Sequence, residues 1–126
     1  MKKIETSKAP GAIGPYSQGM CAGKLVFTSG QIPLDPVTGA IVGDTIEEQS
    51  EQALKNLQAV LEAGGAALSS VIKTTCFLSD MGNFAAFNGV YAKYFVGDCP
   101  ARSCVAVKTL PKGVLVEVEA VAESIV

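Results

Sequence analysis

The stretch VLVEVEAVAE, Val114 to Glu123, alternates without a break, and that alternation decides how the rest of the chain is read. Successive side chains of an extended strand point to opposite faces. Val114, Val116, Val118, Ala120 and Ala122 therefore share one face, and Leu115, Glu117, Glu119, Val121 and Glu123 share the other. The first set reads as a core face. The second mixes carboxylates with Leu115 and Val121. Glu117 and Glu119 fit the wet face of an antiparallel sheet, or a cleft that holds two carboxylates, and alternation alone leaves both readings open.

Working outward, Pro111-Lys112-Gly113 is a turn, preceded by a strand over Arg102 to Val107 that restarts the chain after Gly97 and Pro100. Val71 to Leu78, VIKTTCFL, is β-branched and aromatic and predicts a central strand. Thr45 with Glu48 forms a capping-box signature, and Gly64-Gly65 stops the helix that it starts. Ile46, Ala53, Leu54, Leu57, Val60 and Leu61 are its apolar stripe. A second helix runs from about Asn83 to Phe95, with Phe84, Phe87, Val90, Tyr91, Tyr94 and Phe95 recurring at three and four. Gly89 weakens it by roughly 1 kcal/mol relative to alanine.

Nearer the start, Met20 to Ala22 and Lys24 to Thr28 predict a hairpin around Gly23, with Leu25, Val26 and Phe27 suited to a largely buried sheet. Residues Ala9 to Gln18, APGAIGPYSQ, form an irregular loop around Tyr16, and IPLDPVTGAIVG is a loop with a small turn. The order is β-β-α-β-α-β-β, with room for a further strand at the N-terminus. It predicts an α/β (α+β) fold, a single mixed sheet with two helices packed on one face. Residues 1–126 make one domain, with no linker and no internal repeat expected.

Composition narrows the function. The chain is 48% hydrophobic, with a mean hydropathy of +0.34, yet no apolar run approaches the ~20 residues of a membrane helix. The surplus apolar surface predicts burial between identical subunits. A net charge of −2, with no lysine-rich run and no tryptophan, offers no footprint for nucleic acid. Met1-Lys2-Lys3 resembles the start of a signal peptide, but Glu5, Thr6, Ser7 and Lys8 follow where an apolar segment belongs, so a cytoplasmic location is expected. The four cysteines, Cys21, Cys76, Cys99 and Cys104, have no CxxC spacing and no histidine to complete a mixed metal site. Free, mostly buried thiols are the expectation, and no metal.

Arg102 is the only arginine among ten basic residues, and there is no histidine. The usual neutral-pH acid/base is thus absent, and with it the commonest triads. Proton transfer falls to carboxylates, tyrosines, a cysteine, lysine or water. A guanidinium grips a carboxylate through two parallel hydrogen bonds, although a lone arginine also serves as a structural or surface residue. Cys104 projects to the same side as Arg102. Lacking a histidine to deprotonate it, it reads as a packing group or backbone contact before a nucleophile. Neither GxGxxG nor a Walker pattern occurs.

Seven blocks in order, APGAIGPYSQ, SGQIPLDPVTG, ALKNLQAVLEAGGA, VIKTTCFLSDM, FNGVYAKYF, PARSCV and LPKGVLVEVEAVA, resemble the Rid (YjgF-like) family of reactive intermediate deaminases over nearly the whole chain. The resemblance implies a chorismate-mutase-like trimeric barrel with a cleft at each subunit interface. It implies hydrolysis of 2-imino acids such as 2-iminobutanoate and 2-iminopropanoate to 2-oxo acids and ammonia, without a cofactor. By motif match Arg102 binds the carboxylate and Glu117 activates water. Tyr16, Ser29, Gly30, Phe84, Asn88 and Cys104 match the remaining cleft positions, Tyr16 and Cys104 beside the chemistry and the others around the substrate. Gly89 stands where the family commonly has glutamate. A non-catalytic homotrimer that binds a small carboxylate metabolite is the rival reading. A ribonuclease or translation-inhibitor role, attached to some members, is opposed by the net charge and the missing histidine.

Overall fold

The computed structural model describes residues 1–126. In chain order the elements are β1 (Lys2–Ile4), β2 (Gly19–Ala22), β3 (Leu25–Thr28), α1 (Ile46–Ala63), β4 (Val71–Leu78), α2 (Phe84–Tyr94), β5 (Ala101–Ala106) and β6 (Val116–Glu123). All strands join one sheet in the order β1-β2-β3-β6-β4-β5. Only the β4–β5 pair is parallel; the others are antiparallel. The mixed sheet with two helices on one face is thus observed, and β1 is the additional N-terminal strand.

The helices form where capping and periodicity place them. Thr45 accepts a hydrogen bond from the Glu48 amide, and the Glu48 carboxylate accepts from the Thr45 amide, so two orphan donors of the first turn of α1 are satisfied reciprocally. Gly64 caps the other end, and Gly65 follows at φ 82°, a backbone that suits glycine. One apolar core joins Leu54, Leu57 and Leu61 of α1 and Phe87 and Val90 of α2 to Val26, Cys76, Leu78, Val116 and Val118 of the sheet. On β6 every second residue from Val116 to Ala122 is buried, as the alternation predicts. The strand starts two residues later than expected, because the Leu115 amide donates to the Gln49 side chain of α1 instead of a neighbouring strand.

The hairpin departs from its expectation. Val26 is buried, but Leu25 is 37% and Phe27 41% exposed. In β3 Val26 faces the helices, and its two neighbours stand on the opposite, uncovered face of the sheet, with Val121 directly across from Phe27. That uncovered face also carries Thr75, Phe77, Glu117 and Glu119, cross-paired as Thr75–Glu119 and Phe77–Glu117. All four cysteines are free thiols; Cys76 is buried, Cys21 and Cys104 half-buried, and Cys99 exposed.

Candidate active site

The sequence-predicted site residues fall into two separate groups. Tyr16, Ser29, Gly30 and Glu117 line a cavity of about 590 Å³ on the uncovered side of the sheet. Phe84, Asn88, Arg102 and Cys104 gather where β5 meets α2 on the helix side.

The cavity group is assembled by backbone pairing. Gln31 exchanges two hydrogen bonds with Val118 (2.8 and 3.0 Å), which lays the Ser29–Gln31 turn along β6 beside Glu117. A Cβ on Gly30 would overlap the Glu117 carboxylate, so only glycine allows this approach. Ser29 Oγ donates to the Ser17 carbonyl at 2.5 Å and fastens the turn to the loop that carries Tyr16. Tyr16 stands in the wall, 51% exposed. Gln18, which the pattern of the sequence did not single out, is buried and saturated: its Oε1 accepts from the Thr6 amide, and its Nε2 donates to the carbonyls of Thr6, Ala9 and Pro10. This side chain fixes the segment from which the Tyr16 loop departs. Burial, and then the charge of neighbouring Glu119, push the Glu117 carboxyl above its ordinary range. A carboxylate tuned upward is a stronger base.

At the second group, Arg102 Nη1 donates to Asn88 Oδ1 at 2.8 Å, and the guanidinium lies over the rings of Phe84 (5.5 Å) and Tyr91 (4.8 Å). The ion pairs of the chain are Lys3–Glu5 and Lys93–Glu51. Arg102 is in neither. A half-buried guanidinium with one hydrogen bond and no carboxylate partner keeps its remaining N–H groups available for an anion. Cys104 lies beside Cys76 across the parallel pair. Burial raises the Cys104 thiol, with Arg102 partly opposing, and pushes Cys76 to about 12. Neither is a thiolate at neutral pH, in keeping with the packing reading of Cys104.

Register shows why the two groups do not meet within one chain. Thr74 pairs with Arg102 and with Ala120, on the helix face, whereas Phe77 pairs with Glu117 on the opposite face. The sheet itself separates the arginine from the carboxylate. Strand β5 is also a sheet edge, so a row of its backbone groups is left without a strand partner. Of the residues that complete the arginine's surroundings, Tyr91 was legible as a member of a helix stripe and as one of the tyrosines open to proton transfer, and Thr74 only as a member of a strand.

A helix-backed mixed sheet, with an arginine lacking a carboxylate partner at one edge and a half-buried carboxylate in a cavity on the other face, defines a small α+β protein. The sequence profile described as Endoribonuclease L-PSP matches residues 6–124, and the chain belongs to this family, whose members also carry the names YjgF, RutC and Rid. A Salmonella typhimurium protein named 2-iminobutanoate/2-iminopropanoate deaminase is 48% identical over 124 residues, 96% of each chain. A Lactococcus lactis relative that bears the name of a regulator, AldR, is 52% identical over 98% of each chain. The solved structure of Escherichia coli TdcF with bound serine superposes with a TM-score of 0.93 at 47% identity, over 98% of both chains.

Proposed function

We propose that this chain hydrolyses small 2-imino acids to 2-oxo acids and ammonia, in sites that each combine Arg102 of one copy with Glu117 of another. The observation that carries the reading is the pairing of an arginine without a counter-ion with a carboxylate whose pKa is raised in a cavity, the two on opposite faces of one sheet. Arg102 holds the substrate carboxylate through two N–H groups and presents the imine carbon to Glu117 of the neighbouring copy. Glu117 takes a proton from water as the oxygen bonds to that carbon and the C=N electron pair moves to nitrogen. The protonated Glu117 then returns the proton to nitrogen. Glu117 then carries the carbinolamine hydroxyl proton to the amino nitrogen, and the carbonyl closes as the C–N bond breaks and ammonia leaves. Tyr16 and Gly30 shape the wall around the attacking water, while Phe84 and Asn88 hold the arginine.

The deciding experiment measures ammonia and 2-oxobutanoate release from freshly generated 2-iminobutanoate, with spontaneous hydrolysis subtracted. Release accelerated by the intact protein and not by Glu117→Gln supports the reading; no acceleration by either sinks it. A regulatory role through metabolite binding alone is the second reading, favoured by the relative named as a regulator, since the Arg102 cradle is formed without Glu117. It predicts that Glu117→Gln still binds 2-oxobutanoate while neither protein turns over the imine.

A further inference from the structure

Arg102 is held by more than its neighbours on α2. Its backbone pairs with Thr74 of β4 in the parallel ladder. The Thr74 hydroxyl, fully buried, lies 2.8 Å from the hydroxyl of Tyr91. The Tyr91 ring in turn lies under the Arg102 guanidinium, 4.8 Å from centroid to carbon. Arg102, Thr74 and Tyr91 thus close a loop spanning β5, β4 and α2, in which the residue that fixes the arginine's strand position also fixes the platform for its head group. Tyr91 is clamped from two further sides, stacked on Phe95 at 4.5 Å and tilted against Phe87 at 5.6 Å. At 6% exposure it has little freedom to leave.

We infer that Tyr91, anchored by Thr74, is a positioning residue for carboxylate recognition. It fixes the plane of the Arg102 guanidinium so that the N–H groups not used by Asn88 point together toward an incoming 2-oxo or 2-imino acid. The inference rests on the proposed role of Arg102 as the carboxylate holder, and it does not require turnover. A guanidinium free to swing loses ordering entropy when it grips a carboxylate; one already stacked and hydrogen-bonded at a single edge loses less. The ring supplies the stacking surface, and the hydroxyl supplies its fixed height above the sheet.

The lone arginine makes the test direct, because protein labelled with ¹⁵N-arginine gives one side-chain Nε–H resonance, and stacking on aromatic rings displaces it. In Tyr91→Leu that resonance moves toward the position of free arginine, and the Kd for 2-oxobutanoate rises by about tenfold, the scale of a cation–π contact at a partly desolvated site. Tyr91→Phe keeps the ring and most of the displacement, and its Kd rises by about threefold. Thr74→Val matches Tyr91→Phe, and the double variant is no worse than either, since both remove one shared hydrogen bond. An unmoved resonance with wild-type affinity in Tyr91→Leu overturns the inference. Should Tyr91→Leu not fold, wild-type affinity in both Tyr91→Phe and Thr74→Val does the same. A wild-type protein that does not bind 2-oxobutanoate overturns it at the root. Weakened binding in Tyr91→Leu alongside absent imine turnover in the wild type sustains this inference and removes the deaminase reading. Unchanged binding alongside intact turnover does the reverse.

Discussion

The carboxyl of Glu117 holds its proton to higher pH than a solvated glutamate, through burial first and the charge of Glu119 second. The folded chain therefore binds this proton more tightly than the unfolded chain does. As pH rises from the ordinary value of 4.5 through the raised folded value, this group withdraws stability, and above that window the fold carries the full cost of an ionised, partly desolvated carboxylate. Glu117→Gln removes that cost. Its Tm should exceed wild type at pH 7, with the difference closing below pH 4.5, while imine hydrolysis falls by at least about 100-fold. Thermal melts across pH beside steady-state rates check both halves. Gly30 permits a second cut at the same atom. Gly30→Ala puts a methyl where the carboxylate sits, and the atoms met first are the far end of a flexible side chain. The fold should survive. With Glu117 as the proposed base, hydrolysis should drop by more than about tenfold because the carboxylate is displaced from its place in the cavity, as kinetics at matched Tm will show.

Among the elements, α1 is where local sequence rules had most force. Thr45, Glu48 and the Gly64-Gly65 stop gave both of its ends, since a capping box is a contact between residues three apart and needs no tertiary partner. Thr45→Ala should cost about 1 kcal/mol, a fall in Tm of roughly 3–5 °C for a domain of this size. Calorimetry at constant pH measures it directly. What α1 does for the site was not legible. Asn56 and Gln49 are buried polar residues on its inner side: Asn56 Nδ2 donates to the carbonyls of Ile32 and Leu34, and Gln49 bridges the Gly43 carbonyl and the Leu115 amide. In a 3.6-residue pattern such residues read as solvent-facing, because their partners are backbone groups 6 to 66 positions away that carry no pattern of their own. The same limit hid Gln18 and Thr74. The eight residues of β4 were bounded correctly from β-branching and aromatic content, yet nothing in VIKTTCFL says that Thr74 hydroxyl meets a tyrosine on the following helix. Side-chain chemistry drew attention to Arg102 and Glu117. Which face each occupied relative to the other depended on strand neighbours, and so on the sheet order.

At the scale of the molecule, sheet order and apolar exposure bear on the same question. The uncovered face presents Phe27 and Leu25 in β3, and Val105 of β5 is 47% exposed, while the helix-backed face is closed by a continuous core. Exposed apolar side chains on a sheet face are the surface a copy of the same chain would cover. The function proposed above takes the form of a closed ring of three copies in which each joint would set one copy's Glu117 cavity against the next copy's Arg102 edge, so that every site would draw its two halves from different chains. The arrangement has a numerical consequence. Arg102→Ala and Glu117→Gln should each be inactive alone, but in any ring that contains both, one joint would unite an intact Arg102 from the Glu117→Gln chain with an intact Glu117 from the Arg102→Ala chain. With random assembly of equal amounts, three rings in four are mixed and each has one intact site of three, so about a quarter of wild-type imine hydrolysis should return. The measurement is the rate after co-expression or after unfolding and refolding the two variants together, against each variant refolded separately. A site built within a single chain would show no recovery at any ratio. An order-of-magnitude recovery that tracks the mixing ratio, highest at equal amounts and vanishing at either end, identifies the joint between copies as the place where the water is activated.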